Sequence, residues 1–268
     1  MVKNIRAALL ALGLMVACTA TGHAAETVVT ILTATVAGGW YPLGSALSSV
    51  YGKNIKGVTF TVQATQGSVE NLRLLESGDG ELAFTLADTL ASAWAGDKEA
   101  GFSAPIVSLR GVARLYPLYV HLVASSQSGI KTLADLKDKR VSLGPEQSGS
   151  AVNATAILKA AGVPLGDLAR VDHASVATAA RMIEQGTLDA VFQTFTLGGE
   201  VFRHLLASGK ANFVPIPPEL IAKIGNPAYV GGTIPAGTYD GQRAEVPTVS
   251  IMTLLVTREA VGDDLPIR

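Results

Sequence analysis

The strongest constraint on this chain is a unit that occurs twice at one spacing. Leu75-Glu76-Ser77-Gly78 is followed by Glu81 and then Phe84, and Ile183-Glu184-Gln185-Gly186 is followed by Asp189 and then Phe192. Corresponding residues stand 108 positions apart. Both stretches read as the end of a helix, a glycine stop, an acidic residue and a strand apolar enough to be buried. A strand–glycine turn–helix unit precedes each, over residues 27–51 and 140–161. Two halves of similar build, each of roughly a hundred residues, are the simplest fold for such a pattern. One alternative stays open: helix-stop glycines are common, and any two βαβ units share them.

Between these marks strands alternate with helices. Apolar, β-branched runs predict strands over 27–35, 58–64, 81–86, 140–144 and 189–194. Amphipathic runs predict helices over 43–51, 69–76, 90–95, 151–161 and 176–185. Pro42 suits a first helical turn. Ser68 is expected to cap the second helix, and Asp88-Thr89 the third. The order βαβαβα predicts a parallel sheet covered by helices. Two longer apolar strands, over 114–125 and 248–257, are expected to cross between the halves as a hinge.

The N-terminus has a different character. Lys3 and Arg6 precede an uncharged apolar run over 7–17, and small residues follow as far as Ala24 and Ala25. This is the layout of a secretory signal peptide, assigned to residues 1–24, with cleavage after Ala24. The run is shorter than the roughly 20 apolar residues a membrane span needs. An uncleaved buried helix is the alternative. Cys18 is the only cysteine, so no disulfide framework is expected. Met15-Val16-Ala17-Cys18 also loosely resembles a lipoprotein cleavage site, which would leave a lipid anchor on Cys18.

Reactive constellations are missing from the sequence. The formal net charge is −1, and no block of like charge suggests nucleic acid as a partner. His121, His173 and His204 have no metal-ligand spacing, so no metal is expected. There is no phosphate-binding G-x-x-x-x-G-K-[ST] loop, no G-x-S-x-G nucleophile turn and no acid–base pair of carboxylates. Neither catalysis nor a cofactor is expected. His121, in a predicted hinge strand, reads first as a hydrogen-bonded structural residue, with a ligand contact as the alternative.

Four strand-to-helix turns remain: Gly38-Gly39-Trp40-Tyr41, Thr65-Gln66-Gly67-Ser68, Asp88-Thr89 and Glu146-Gln147-Ser148-Gly149-Ser150. In parallel sheets such turns lie at the carboxyl ends of the strands, where ligands bind. Free amides at a helix start carry partial positive charge and can hold a carboxylate or hydroxyl. Trp40 or Tyr41 could cover the apolar part of a small ligand. Plain capping explains any one turn alone; four of them spread over both halves point to a shared cleft.

At these residues the chain resembles the solute-binding proteins of TRAP transporters of the TAXI type. The resemblance is carried by Gly38-Gly39-Trp40-Tyr41-Pro42-Leu43-Gly44 and by Thr65-Gln66-Gly67-Ser68-Val69-Glu70-Asn71-Leu72. Leu133-Ala134-Asp135-Leu136-Lys137, Arg140-Val141-Ser142-Leu143-Gly144, Ser148-Gly149-Ser150 and Thr233-Ile234-Pro235-Ala236-Gly237-Thr238-Tyr239 extend it. It implies a type II periplasmic binding protein fold: two α/β lobes joined by two hinge strands, with the ligand cleft between them. Lobe 1 would begin with 25–117, lobe 2 would span 118–214, and 215–268 would return to lobe 1. Members of the family run on beyond this point, so the resemblance implies that the return segment is C-terminally truncated. It further implies a periplasmic protein that delivers a small organic anion or amino acid, often glutamate-like, to an ion-gradient-driven membrane permease. A sensor that shows its closed form to a receptor domain is the alternative. The implied ligand-binding residues are Gly39, Tyr41, Thr65, Ser68, Asp88, Ser148 and Ser150. Trp40 stands where a smaller residue or Tyr is commoner in the family.

Overall fold

Two strands far longer than the usual five or six residues organise the molecule. A computed structural model describes residues 27–261. The proposed signal peptide, Cys18 and the last seven positions of the return segment lie outside the described residues. The first half contains β1 (Thr27–Leu32), α1 (Trp40–Asn54), β2 (Val58–Gln63), α2 (Ser68–Ser77), β3 (Leu82–Leu86) and α3 (Ala87–Ala95). The long β4 (Leu109–Ser125) then leads into β5 (Arg140–Ser142), α4 (Gly149–Ala161), β6 (Arg170–Asp172), α5 (Val176–Glu184) and β7 (Ala190–Phe195). Next come α6 (Glu200–Ala207), β8 (Ala211–Phe213), α7 (Glu219–Ile224), β9 (Tyr229–Ile234) and the second long strand, β10 (Val246–Arg258).

The strands form one ladder in the order β2-β1-β3-β10-β4-β7-β5-β6. It is continuous because the long strands change partners along their length. β10 pairs with β9 through Val246–Ile251 and with β3 through Thr253–Val256. β4 pairs with β10 over its first part and with β7 from Tyr119 to Ala124. Register shifts in β10 at Met252/Leu254 and Leu255/Val256 mark the exchange; such bulges bend a strand and release it from its ladder.

The halves have the same build. In the first, β3 pairs parallel to β1 and antiparallel to β10; in the second, β7 pairs parallel to β5 and antiparallel to β4. The repeated acid does the same work in both. A Glu81 carboxylate oxygen accepts from the Thr30 amide at 2.7 Å, and one of Asp189 accepts from the Arg140 amide at 2.8 Å. Each ties a central strand to its parallel neighbour. The architecture is therefore the mixed α/β, two-lobe arrangement with two crossing strands.

Local details differ from expectation. α1 starts at Trp40, three residues before the amphipathic run, with Pro42 in its first turn. Ser68 is not the cap of α2: it opens the helix, and its Oγ accepts from the Leu86 amide at 3.1 Å. Asp88 and Thr89 do not cap α3 either, because the helix already begins at Ala87. Ser148 is the cap of α4, its Oγ accepting from the Ala151 amide at 3.2 Å. Beyond residue 215 the chain packs α7 on α4 and reaches β3 only along β10. The largest apolar cluster joins Ile31, Phe84 and Leu86 of the first half to Leu118, Ala151 and Phe192.

Candidate functional site

Strand ends from both halves converge on one cavity of about 50 Å³. Thr35 after β1, Gln66 after β2 and Leu86 ending β3 line it from the first half; Pro145 after β5 and Thr194–Thr196 at the end of β7 line it from the second. The first residues of α1, α2 and α4 lie at the same place: Trp40, Ser68 and Gly149. Opening amides of a helix have no intrahelical acceptor and sit at the positive end of its dipole. None of the lining residues bears a formal charge. The space is small beside the roughly 300–1,000 Å³ of pockets for drug-sized ligands.

The side chains divide into those already satisfied and those that are not. Ser148 Oγ caps α4 and donates to the Pro145 carbonyl at 2.6 Å, so its hydrogen is engaged. Ser150 Oγ accepts from Gln193 Nε2 at 2.9 Å and from the Thr194 amide at 3.0 Å, which leaves its own O–H to donate. Trp40 is 5% exposed and stacks on Phe84, yet its Nε1 has no acceptor among the described residues. Gln193 Oε1 is likewise buried without a donor.

The cleft is closed. A Cβ on Gly149 would lie 2.7 Å from Leu86 Cδ1 and from Ser68 Oγ across the junction, and one on Gly39 3.0 Å from Thr196 Cγ2. Gly67 has φ +125°, a backbone that favours glycine, and faces Ser148. Hydrogen bonds cross as well. The Glu70 amide donates to the Gln147 carbonyl at 3.1 Å, and Arg73 donates to Gln147 Oε1 at 3.0 Å.

Beside the cavity lies a second polar junction. Asp88, 1% exposed, accepts from Asn153 Nδ2 at 2.6 Å and from the Tyr229 hydroxyl at 2.8 Å. Asn153 Oδ1 in turn accepts from Thr194 Oγ1 at 2.6 Å, so the network ends on the cavity wall. Burial pushes the Asp88 carboxyl up to about 6, against the hydrogen bonds from Tyr229 and Thr89 that pull it down. Burial, with the Asp88 charge second, also raises the Tyr229 hydroxyl.

Of the expected site residues, the structure brings Gly39, Ser68, Ser148 and Ser150 together on the cavity. Thr65 does not line it. Its hydroxyl is held by Asn71 at 2.7 Å and by the Thr33 carbonyl at 3.1 Å, and it shapes the turn before α2. Tyr41, in the first turn of α1, does not line it, and Asp88 reaches its wall only through Asn153 and Thr194. Trp40, named only as cover for apolar ligand atoms, and Gln193, Thr194 and Thr196, not named at all, are lining residues. The 108-residue repeat contained the missing signal: it carries Asp88 onto Thr196 and Leu86 onto Thr194. His121 is structural, as first read: Tyr239 holds Nε2 at 2.7 Å, the Tyr119 carbonyl holds Nδ1 at 2.8 Å, and Phe202 stacks on the ring. Among the described residues no group of His, Cys, Asp and Glu is placed to hold a metal ion.

Comparison with known proteins follows the same lines. The family model described as "NMT1-like family" matches residues 31–266. Among solved structures the chain is similar to the alkanesulfonate-binding protein SsuA from Xanthomonas axonopodis pv. citri bound to MOPS, at 15% identity and TM-score 0.54, covering 89% of this chain and 68% of that one. It is similar to the periplasmic aliphatic sulphonate binding protein SsuA from Escherichia coli, at 16% identity and TM-score 0.50, covering 89% and 67%. PhnD1 from Prochlorococcus marinus in complex with methylphosphonate matches at 11% identity and TM-score 0.57, covering 89% and 79%. At these identities the likeness is one of fold, the mixed α/β arrangement of type II periplasmic binding proteins.

Proposed function

The chain belongs to the NMT1-like family, and on that premise we propose that it is an exported solute-binding protein that captures a small organic anion by closing its two lobes. The single observation that carries this reading is the uncharged cavity where strand ends and helix N-termini of both halves meet. Amides and hydroxyls from both sides can grip an anion only when the cleft is shut, so binding favours closure. The bonds of Gln147 to Glu70 and Arg73, and of Asn153 to Asp88, hold the shut form. Nothing in this arrangement presents a nucleophile with its base, and the proposed role is binding without turnover.

The finer assignment follows from the sequence resemblance. It makes the protein the periplasmic receptor of a TAXI-type TRAP permease, with an amino acid or carboxylate, glutamate-like, as solute. Residues 1–24 would direct export, with a lipid on Cys18 as the variant route. Lobe 1 would start with 25–117, lobe 2 would span 118–214, and 215–268 would return to lobe 1. A thermal-shift screen tests the central reading. Amino acids, dicarboxylates, sulfonates and phosphonates are each added to folded protein. A true ligand at a hundredfold excess over its Kd should stabilise by about 2.7 kcal/mol. If none of these solutes raises the melting temperature, the reading fails.

A further inference from the structure

The stretch Thr233-Ile234-Pro235-Ala236-Gly237-Thr238-Tyr239 gives no residue to the cavity wall, yet its last side chain reaches a turn that does. Tyr239 lies in the loop between β9 and β10 and is 1% exposed. Gln242 folds that loop. Its Nε2 donates to the carbonyls of Ile234 at 3.2 Å and Ala244 at 3.0 Å, and its Oε1 accepts from the Tyr239 amide at 3.3 Å. The Tyr239 hydroxyl oxygen then stands 2.7 Å from His121 Nε2 and 3.0 Å from the Gly198 amide nitrogen, with the Thr196 carbonyl next at 3.4 Å.

The direction of each bond follows from the groups involved. A carbonyl only accepts, so His121 Nδ1, 2.8 Å from the Tyr119 carbonyl, carries the ring hydrogen of a neutral imidazole. Burial keeps that ring neutral, lowering its pKa to about 4. Nε2 therefore accepts, the Tyr239 hydroxyl donates to it, and the Tyr239 oxygen accepts from the Gly198 amide. The bonds run in one line from Gly198 through Tyr239 and His121 to Tyr119. Tyr119 is where β4 passes from one partner to another: it pairs with Ser250 of β10 and with Phe195 of β7. At the other end, Gly198 follows two residues after Thr196, which lines the cavity. Thr196 faces Gly39 of the opposite half, where a Cβ would lie 3.0 Å from its Cγ2. The Gly198 carbonyl is held as well, by Arg203 Nη2 at 3.2 Å.

We propose, on the reading that the cavity is a solute site, that Tyr239 is a positioning residue for solute capture. Through Gly198 it fixes the Thr196 turn to the point where β4 changes partners, and so places the wall that the second half brings against Gly39. Tyr239 does not line the cavity and acts only through this turn. Its hydroxyl carries the role. The ring packs against His121 and Phe213, contacts that need no oxygen. A binding wall must stand within a fraction of an ångström of its working place, and bonds to a rigid element supply that.

The test is Tyr239→Phe on the whole chain, which keeps the ring and removes the oxygen. In the unliganded variant, amide hydrogen exchange over 196–199 should quicken about tenfold or more, while the amides of β1 and β3 exchange as in the wild type. A side chain that only stabilises the fold would instead raise exchange throughout, in step with a lower melting temperature. Calorimetry then uses four probes: L-glutamate, succinate, methanesulfonate and methylphosphonate. A probe that binds the wild type should bind Tyr239→Phe about tenfold more weakly. Equal affinity in the two proteins, or unchanged exchange over 196–199, would overturn the assignment and leave the solute site standing. If none of the four probes binds the wild type, the solute reading falls, and quicker exchange over 196–199 then makes Tyr239 a structural brace only. Should Tyr239→Phe not fold, the nitrogen chemical shifts of the His121 ring in the wild type decide. A hydrogen on Nδ1 with Nε2 accepting supports the line of bonds, and a hydrogen on Nε2 overturns it.

Discussion

The two halves meet at two polar junctions, and comparing them separates support from recognition. At the Asp88 junction the carboxylate is held by Asn153 and Tyr229. In the cavity-lining residues Trp40 and Gln193, the buried atoms Nε1 and Oε1 have no hydrogen-bond partner among the described residues. A folded chain tolerates the first kind of cluster as structure. The second kind is rare and calls for an explanation each time. Asn153 connects the two: it holds Asp88 on one side and Thr194, a cavity residue, on the other. One side chain thus links the junction between the halves to the cavity wall.

The largest expected effect lies on the cavity side. Gly149→Ala puts a methyl 2.7 Å from Leu86 Cδ1 and Ser68 Oγ, atoms of the opposite half. Overpacking of about 1–3 kcal/mol should then oppose closure and weaken ligand binding up to about a hundredfold. Each half should keep its own stability, because the nearest atoms the methyl meets belong to the first half. Calorimetry with any ligand from the thermal screen checks this, and unaltered affinity would mean that the glycine does not set the approach of the halves.

Next in size is a change in pH dependence. Burial raises Asp88 from an ordinary carboxyl value of 3.8 to about 6. Stability from a group raised in this way is present below its unfolded pKa and lost as pH rises through the folded value. That amounts to on the order of 3 kcal/mol lost between about pH 4 and pH 6. His121, 0% exposed, runs the other way: burial lowers it from 6.5 to about 4. Its contribution is present above pH 6.5 and lost as pH falls through about 4. Over the shared interval the two trends oppose, and the wild-type melting temperature should change little. Asp88→Asn leaves only the histidine trend, so its melting temperature should fall steadily as pH drops from 6.5 to 4. Parallel profiles for the two proteins would remove Asp88 as the balancing group.

The smallest effect sharpens the boundary between the junctions. Ser148 lines the cavity, but its oxygen caps α4 and its hydrogen is given to Pro145. Ser148→Ala should lower stability by about 1 kcal/mol, as the loss of a helix cap does, and change ligand affinity by less than about threefold. Thermal unfolding beside calorimetry distinguishes the roles. A large affinity loss at unchanged stability would move Ser148 to the recognition side.

Much of the frame was open to reading from local pattern. The repeated helix stop, acid and strand placed β3 and β7 in equivalent positions, because each element states its own period and its own ends. Boundaries blurred where local pattern stops. β4 begins at Leu109 rather than 114, since the residues from Arg110 to Arg114 are exposed and held by backbone pairing to β10, not by an apolar pattern. β9 is not among the expected strands; its Gly231-Gly232 pair lacks the apolar side chains that mark one, and in the fold Gly232 lets the strand lie against the Tyr119 ring. The strand-end rule likewise found the turns but could not weigh them.

What the sequence determined by itself was the order of elements, the duplication and a set of turns rich in amides and hydroxyls. Those properties depend on residues a few positions apart, whose geometry is set by the local backbone. Only the tertiary structure decided which polar groups are left over. Thr65, Asp88 and Ser148 found partners within the protein, whereas Trp40 Nε1 and Gln193 Oε1 have none among the described residues. That outcome depends on how the two long strands bring the halves together, because a donor's partner across the cleft is a matter of angstroms in space and has no signature along the chain.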